Sequence, residues 1–440
     1  MSRSMYYALP LPLSAPSLMA RMAGFGLLRV PEGLGLDSAT VKKIMLCKYA
    51  QHALIKPAFL FRQDIDPNNL RGGVSALEFI NQVNEQVRPQ SEDDILITYA
   101  SRHLSAFNGM LIQNFFLPDA MSRFNYVVDL KTALETCYYF GNVKVKNSKS
   151  LNQAAKELGF TGDLTNQMQR IDALFYIYNH LLSHDLKIMS FLHGNRAVRF
   201  AEHAPGKFLV HVNESGKLCL LKVLNQSDDH RLLKVLMSDG RSVKVQCINV
   251  DLAPLLAPCG ILTPQRQSDL GFNLANEQDR LNNVSFVDLL DADESDAAIV
   301  KAAPAYSGQS SDEAELNAYA HAAAILEKDL SFYDAYFYKL SLPERKVFER
   351  MSSHDIRQET NITHIADPKS KFGQQVLCYL VENFPKAVFD GQIEQYRDYV
   401  SHTVAKRASS IKNDLSLLVS SIDHDDKKAV ELLNRIASFF

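Results

Sequence analysis

Short apolar runs alternate with amphipathic helical segments as far as residue 187, and beyond that point the alternation stops. Gly24 to Val30, Lys43 to Lys48 and Ile95 to Tyr99 read as strands, and Asn125 to Leu130 as a strand running into a helix through Cys137. Between them, Ser75 opens a helical pattern with Glu78 at the capping-box position. Ser150 opens another helix, which Gly159 ends, and Asn166 to Leu182 is strongly amphipathic. Alternation of this kind predicts an α/β domain with a mixed central sheet over residues 1–187.

From about residue 190 the pattern becomes a series of short strands. Phe208 to Val212, Leu218 to Val223, Leu232 to Leu236 and Val243 to Cys247 have the spacing of a small β-barrel, placed at 188–305. An acidic, small-residue stretch from Asp291 to Ser311 reads as a linker. Residues 306–440 are helical in pattern, ending in two helices joined by the turn Asp423 to Asp426. Three units agree with a length of 440 residues, too much chain for a single core.

Composition excludes several classes. Six cysteines without a CxxC pair argue against a zinc site and a disulfide framework, and they fit a reducing cytoplasm. The apolar stretch Met5 to Leu13 is broken by Pro10 and Pro12 and lacks a basic lead, so no signal peptide is expected, and no run is long enough for a membrane span. A net charge of −3 implies no global attraction to phosphate. No GxxxxGK[ST], GxGxxG, GxSxG or HExxH occurs.

Several strings, in order along almost the whole chain, resemble the bacterial exonuclease I family. Asp129-Leu130 followed by Cys137-Tyr138 resembles its passage from the last central strand into a helix. Val210-His211-Val212 is similar to the opening of its SH3-like barrel, and Ile248-Asn249, Pro254 and Leu262 to Asn273 to the barrel's closing segment. Tyr379 to Pro385 (YLVENFP) resembles the YRxRNFP string of its helical domain. The resemblance implies an RNase H-like exonuclease domain, an SH3-like β-barrel and a C-terminal α-helical domain, acting as a monomer.

It also implies a chemistry. Members are DEDDh exonucleases that degrade single-stranded DNA from the 3′ end, with four carboxylates holding two Mg²⁺ ions and a histidine taking the proton of the attacking water. Transferred to this chain, the Asp-x-Glu positions fall on Tyr6 and Ala8, the second acidic position on Ser105, and the histidine and last aspartate on Gln167 and Asp172. Asp172 alone keeps its acid, and the first strand has no Asp or Glu before Glu32. Asp64-Ile65-Asp66 has an alternating acidic form, but Pro67 and Asn68 after it mark a turn.

The contact residues are altered too. Leu380 and Glu382 replace arginines of the family string, leaving Tyr379 and Asn383 as its candidate nucleic-acid contacts. Thr263, Asp269 and Leu274 replace arginines that receive the acidic tail of single-stranded-DNA-binding protein, which counts against that partner. His180 and His184 read as solvated helix residues, and the aromatic run Phe332 to Tyr338 as core. The sequence therefore predicts an exonuclease fold without cofactor, cleaving nothing and keeping a single-stranded nucleic-acid or protein partner. An active Mg²⁺-dependent exonuclease and a pure protein scaffold are the alternatives.

Overall fold

Nine uncharged residues, Ser4–Pro12, form β1, the middle strand of a sheet ordered β3-β2-β1-β4-β5. A computed structural model describes residues 3–14, 20–50, 52–53, 55–116, 123–213, 215–227, 230–284, 340–352, 370–422 and 424–440. The linker and the aromatic run Phe332 to Tyr338 lie outside them. β2 (Met22–Pro31) and β3 (Val41–Leu46) are antiparallel additions on one side of β1, and β4 (Ile95–Thr98) and β5 (Tyr126–Asp129) parallel ones on the other. This is the mixed sheet that the alternation predicts.

β1 has both faces covered, which explains its continuous apolar run. β4 pairs only with Met5 to Ala8, so Pro10 and Pro12 fall where β1 has β2 as its single neighbour and a missing N–H is tolerated.

Helices cover both faces. On one lie α2 (Ala76–Gln86) and α3 (Arg102–Gln113), whose Phe79, Leu104 and Phe107 pack with Tyr6, Ala8, Phe25 and Leu27. α1 (Pro57–Arg62) precedes them. On the other face lie α4 (Leu130–Phe140), α5 (Leu151–Glu157) and α6 (Gln167–His184), packed with Met5, Tyr7, Leu9 and Leu28. Their starts are set locally. Ser75, Ser150, Asn166 and Asp129 each accept a backbone N–H of the first turn.

α7 (Leu186–Arg199) carries the chain into the second unit, so the expected boundary at 187/188 falls inside a helix. Asn195 and Arg199 of α7 donate to the carbonyls of Leu256 (2.8 Å) and Val250 (2.7 Å), fixing the second unit to the first. Its strands β6 (Phe208–Val212), β7 (Leu218–Gln226), β8 (Leu232–Ser238), β9 (Val243–Asn249) and β10 (Leu256–Pro258) are antiparallel in the order β10-β6-β7-β8-β9. They curl around a core of Leu209, Leu221, Val235 and Ile248, with no ladder between β9 and β10 among the described residues. α8 (Pro264–Leu270) and α9 (Leu274–Asn282) follow.

The C-terminal unit contributes α10 (Leu342–Ser352), α11 (Lys371–Asn383), the 32-residue α12 (Asp390–Ser421) and α13 (Lys427–Phe439). The helix break falls at the expected acidic turn. α13 returns to the α/β domain, where Arg435 pairs with Asp66 at 2.7 Å and Phe439 meets Tyr49 edge to face. Among the described residues no helix is long and apolar enough to cross a membrane, and all six cysteines are free.

Candidate active site and nucleic-acid contacts

The sheet face under α6 is where a carboxylate on β1 would meet one on a helix. The structure does not bring the expected positions together there. Tyr6 and Ala8 point to the opposite face, into the cluster of α2 and α3. Tyr6 packs edge to face on Phe124 and donates to the carbonyl of Arg88 at 3.0 Å, and burial raises its phenol above the ordinary range. Since a one-residue step along a strand turns the side chain over, the β1 residues that face α6 are Tyr7, Leu9 and Leu11. None is acidic.

α6 presents Ile171 to this face. A Cβ on Gly26 of β2 would lie 2.7 Å from its Cδ1 and 2.9 Å from that of Ile44, so the glycine is what lets α6 approach so closely. With 3.6 residues per turn, Asp172 is rotated about 100° away from Ile171. It meets Lys42 of β3 at the sheet's edge, the ammonium lying 2.7 Å from Oδ1 and 2.9 Å from Oδ2. The one retained acid is thus matched by a lysine of this chain.

Gln167, at the start of α6, donates to the carbonyl of Gln63 at 2.5 Å and accepts from Arg170 at 2.9 Å. Arg170 also donates to the Gln63 carbonyl at 3.0 Å, and Gln63 in turn donates to the carbonyl of Pro12 at the end of β1. This web ties α6 to the strand end. Burial lowers Arg170 to about 10, against the opposing charge of Asp64, and burial beside Arg102 and Arg170 pushes His103 down to about 4. Ser105 falls within α3. Asp66 does what a turn residue does: it caps the following 3₁₀ turn and pairs with Arg435.

The metal that the resemblance implies does not fit these residues. Mg²⁺ takes oxygen ligands in a near-octahedral shell. Ile171 and Ile44 converge over Gly26 here, with Leu9 and Leu11 in the same apolar core and Asp172 turned aside to an ammonium. No three His, Cys, Asp or Glu side chains converge among the described residues. His180 and His184 stack at 4.2 Å on the exposed side of α6, as solvated helix residues.

Tyr379 and Asn383, expected at a nucleic-acid surface, are instead packed inside the junction between units. The Tyr379 ring lies edge to face on Phe115 at 5.0 Å, and Leu380 shares that cluster. Asn383 accepts from Leu77 N at 2.9 Å and donates to Asn114 Oδ1 at 3.2 Å, stapling α11 to the starts and ends of α2 and α3. Glu382 is equally internal. It accepts from Arg21 at 3.0 and 3.3 Å, with His52 Nδ1 3.1 Å from Oε1. His52 Nε2 in turn receives Arg21 Nη2 at 3.0 Å, and Tyr396 and Arg407 of α12 bond to His52 as well. The carboxylate at 382 therefore serves the docking of the helical unit. In the second unit Thr263 caps α8, Asp269 accepts from Gln265, and Leu274 packs against the core.

No protein-family model matches the chain, and no curated protein sequence does. Solved structures match over its full length. It superposes on Escherichia coli exonuclease I in complex with a dA16 oligonucleotide at TM-score 0.69, 16% identical, covering 99% of both chains. An SSB/exonuclease I structure with an inhibitor gives 0.72 at 15% identity over 100% of this chain and 99% of that one. The zinc-bound complex of E. coli exonuclease I with single-stranded DNA gives the same values. The chain has the exonuclease I fold.

Within that fold, Gly26, Ile171, Lys42, Arg21 and His52 are the residues that sequence reasoning passed over. Gly24-x-Gly26 inside a strand run was the available signal, since glycine there marks close approach of another element.

Proposed function

We propose that this chain is a non-cleaving protein of the exonuclease I fold that retains binding to single-stranded nucleic acid. The carrying observation is the face under α6: Ile171 and Ile44 close over Gly26 within a core that includes Leu9 and Leu11, and Asp172 is held by Lys42. Two-metal hydrolysis needs several carboxylates converging on the scissile phosphate, and a single aspartate already neutralised by an ammonium supplies no such cage. Retention of a nucleic-acid partner is supported by the full-length likeness to exonuclease I structures that hold dA16 and dT13 oligonucleotides. Burial of Tyr379 and the hydrogen bonds that hold Asn383 to Leu77, Asn114 and Tyr379 favour other residues for any such contact. The six free cysteines are consistent with a reducing cytoplasm as the setting of this reading, in which the chain acts as a monomer.

The direct test is incubation of end-labelled single-stranded DNA with the protein in Mg²⁺ and in Mn²⁺, beside a titration of the same strand by fluorescence anisotropy at low salt. Binding without shortening of the strand is expected. Processive shortening that Asp172→Ala abolishes would overturn the non-cleaving reading. A scaffold binding only protein is favoured by the internal placement of the expected DNA residues, and absence of anisotropy change at 50 mM salt or below, roughly the range where phosphate contacts are strongest, would establish it.

A further inference from the structure

The segment after α4 reads Asn142-Val143-Lys144-Val145-Lys146-Asn147-Ser148-Lys149, and its burial alternates. Val143 and Val145 are buried in the core, while Lys144, Lys146 and Lys149 are exposed. Its backbone is held in place by two carboxylates from neighbouring helices. Asp185 accepts from Asn142 N at 2.7 Å and Val143 N at 2.8 Å, and Glu157 accepts from Lys146 N at 2.6 Å and Asn147 N at 3.1 Å. A third acid, Glu135, is taken by Lys131 at 2.6 Å and Ser148 Oγ at 3.1 Å. Every acid along the segment is thereby turned toward backbone or another partner. The three lysines form no ion pair among the described residues, so their charges are not tied up by carboxylates on a chain of net charge −3.

An aromatic stands beside the same segment. Tyr138, near the end of α4, is 44% exposed, unusual for a ring of its size. Lys144 donates to the carbonyls of Tyr138 (2.5 Å) and Cys137 (3.4 Å), and its ammonium lies 5.8 Å from the Tyr138 ring centroid. That bond caps the helix end and fixes the cation beside the ring. Lys144 and Lys146 flank the buried Val145, and two residues of chain span at most about 7 Å.

We infer that Tyr138, Lys144, Lys146 and Lys149 form a binding strip for single-stranded nucleic acid, resting on the nucleic-acid reading above. The lysines meet successive phosphates, and the Tyr138 ring offers a stacking face for a base. Cations in a row with an exposed ring are the combination that sequence-tolerant single-strand binding uses. The pinned backbone means that little ordering is needed on binding. An acidic protein segment would satisfy the lysines but leave the ring unused, so nucleic acid fits the whole strip better.

Anisotropy of a labelled oligothymidylate, measured from low to moderate salt, separates the outcomes. For Lys144→Gln/Lys146→Gln/Lys149→Gln the expectation is weaker binding, with the salt slope reduced by about 2, since each phosphate contact on a single strand contributes about 0.7. Tyr138→Ala should weaken binding about fivefold or more with an unchanged slope, the signature of lost stacking. The triple Lys→Arg variant should bind as the wild type, which controls for misfolding. If the wild type does not bind the strand at all, the nucleic-acid reading itself fails. If it binds and the Gln variant matches it in affinity and slope, the reading stands and the strip is wrong. Displacement by poly-glutamate that spares the effect of Tyr138→Ala would also overturn the assignment, in favour of an acidic protein partner.

Discussion

The sheet face beneath α6 and the junction between α11 and the loop carrying His52 handle charge in opposite ways. Under α6 the side chains are the apolar Leu9, Leu11, Ile44 and Ile171, and Asp172 is turned to the sheet's edge with Lys42. At the junction, Arg21, His52 and Glu382 are almost completely enclosed yet remain polar, and Arg21 Nε and Nη1 have no hydrogen-bond partner among the described residues. Burial of charge costs several kcal/mol per ion unless it is paired, so such groups persist where each is held by the others. The comparison teaches that the sheet face under α6 is built without charge at its centre. Charge is kept where it joins two units of the fold.

The strongest way to break this contrast is at Glu382. Glu382→Ala leaves the Arg21 guanidinium buried without its carboxylate and should cost about 3–5 kcal/mol in urea unfolding, with Arg21→Met in the same chain recovering much of the loss. A cost below 1 kcal/mol, roughly the worth of an exposed pair, would show that the junction does not depend on its ions. On the other face, Gly26→Ala puts a methyl group 2.7 Å from Ile171 Cδ1 and should destabilise by about 1–3 kcal/mol through overpacking. Equal stability to the wild type would mean that α6 sits farther from β2 than the structure has it.

The two regions should also differ in their response to pH. Burial, with Arg21 and Arg407 nearby, holds His52 well below its ordinary 6.5, so the folded state keeps it neutral while the unfolded chain takes up a proton. Its contribution is complete above pH 6.5 and is lost as the pH falls below that value. Glu382 acts in the other direction, since burial outweighs Arg21 and raises it, so its buried ionised form weighs against folding as the pH rises above 4.5. Between pH 6.5 and 5 the wild type should therefore lose stability more steeply than His52→Asn, measured by thermal unfolding. The α6 face has only apolar groups at its centre, so the cost of Gly26→Ala should not change with pH. The smallest effect is expected for Lys42→Met. Lys42 is one-third exposed, so its loss should cost about 1 kcal/mol or less, and the variant should still leave single-stranded DNA intact in Mg²⁺.

Much of the architecture is legible in the chain itself. The caps at Ser75, Ser150 and Asn166 are local, depending on a hydroxyl or amide beside the first turn, and the strands at Gly24, Ile95 and Phe208 follow from short apolar runs between turn residues. The register of β1 is not legible. Its two alternating sets, Tyr6 with Ala8 and Tyr7 with Leu9 and Leu11, are equally apolar because both faces of a central strand are buried, so no polar side marks which set meets α6. The same ambiguity hid Ile171 behind its acidic neighbour. Glu382 and Asn383 look like surface residues in a polar string, and only the docking of α11 on Arg21 and Leu77 shows them to be internal.

The missing acids of the first strand were fixed by the sequence alone: no Asp or Glu occurs before Glu32, so no register of β1 supplies one. Where Asp172 points depended on the tertiary structure, because a helix residue's direction is set by how the helix seats on its sheet. Here a glycine at position 26 lets Ile171 seat inward and turns the acid outward to Lys42. Composition can remove a ligand, but only packing decides whether a remaining one faces the site.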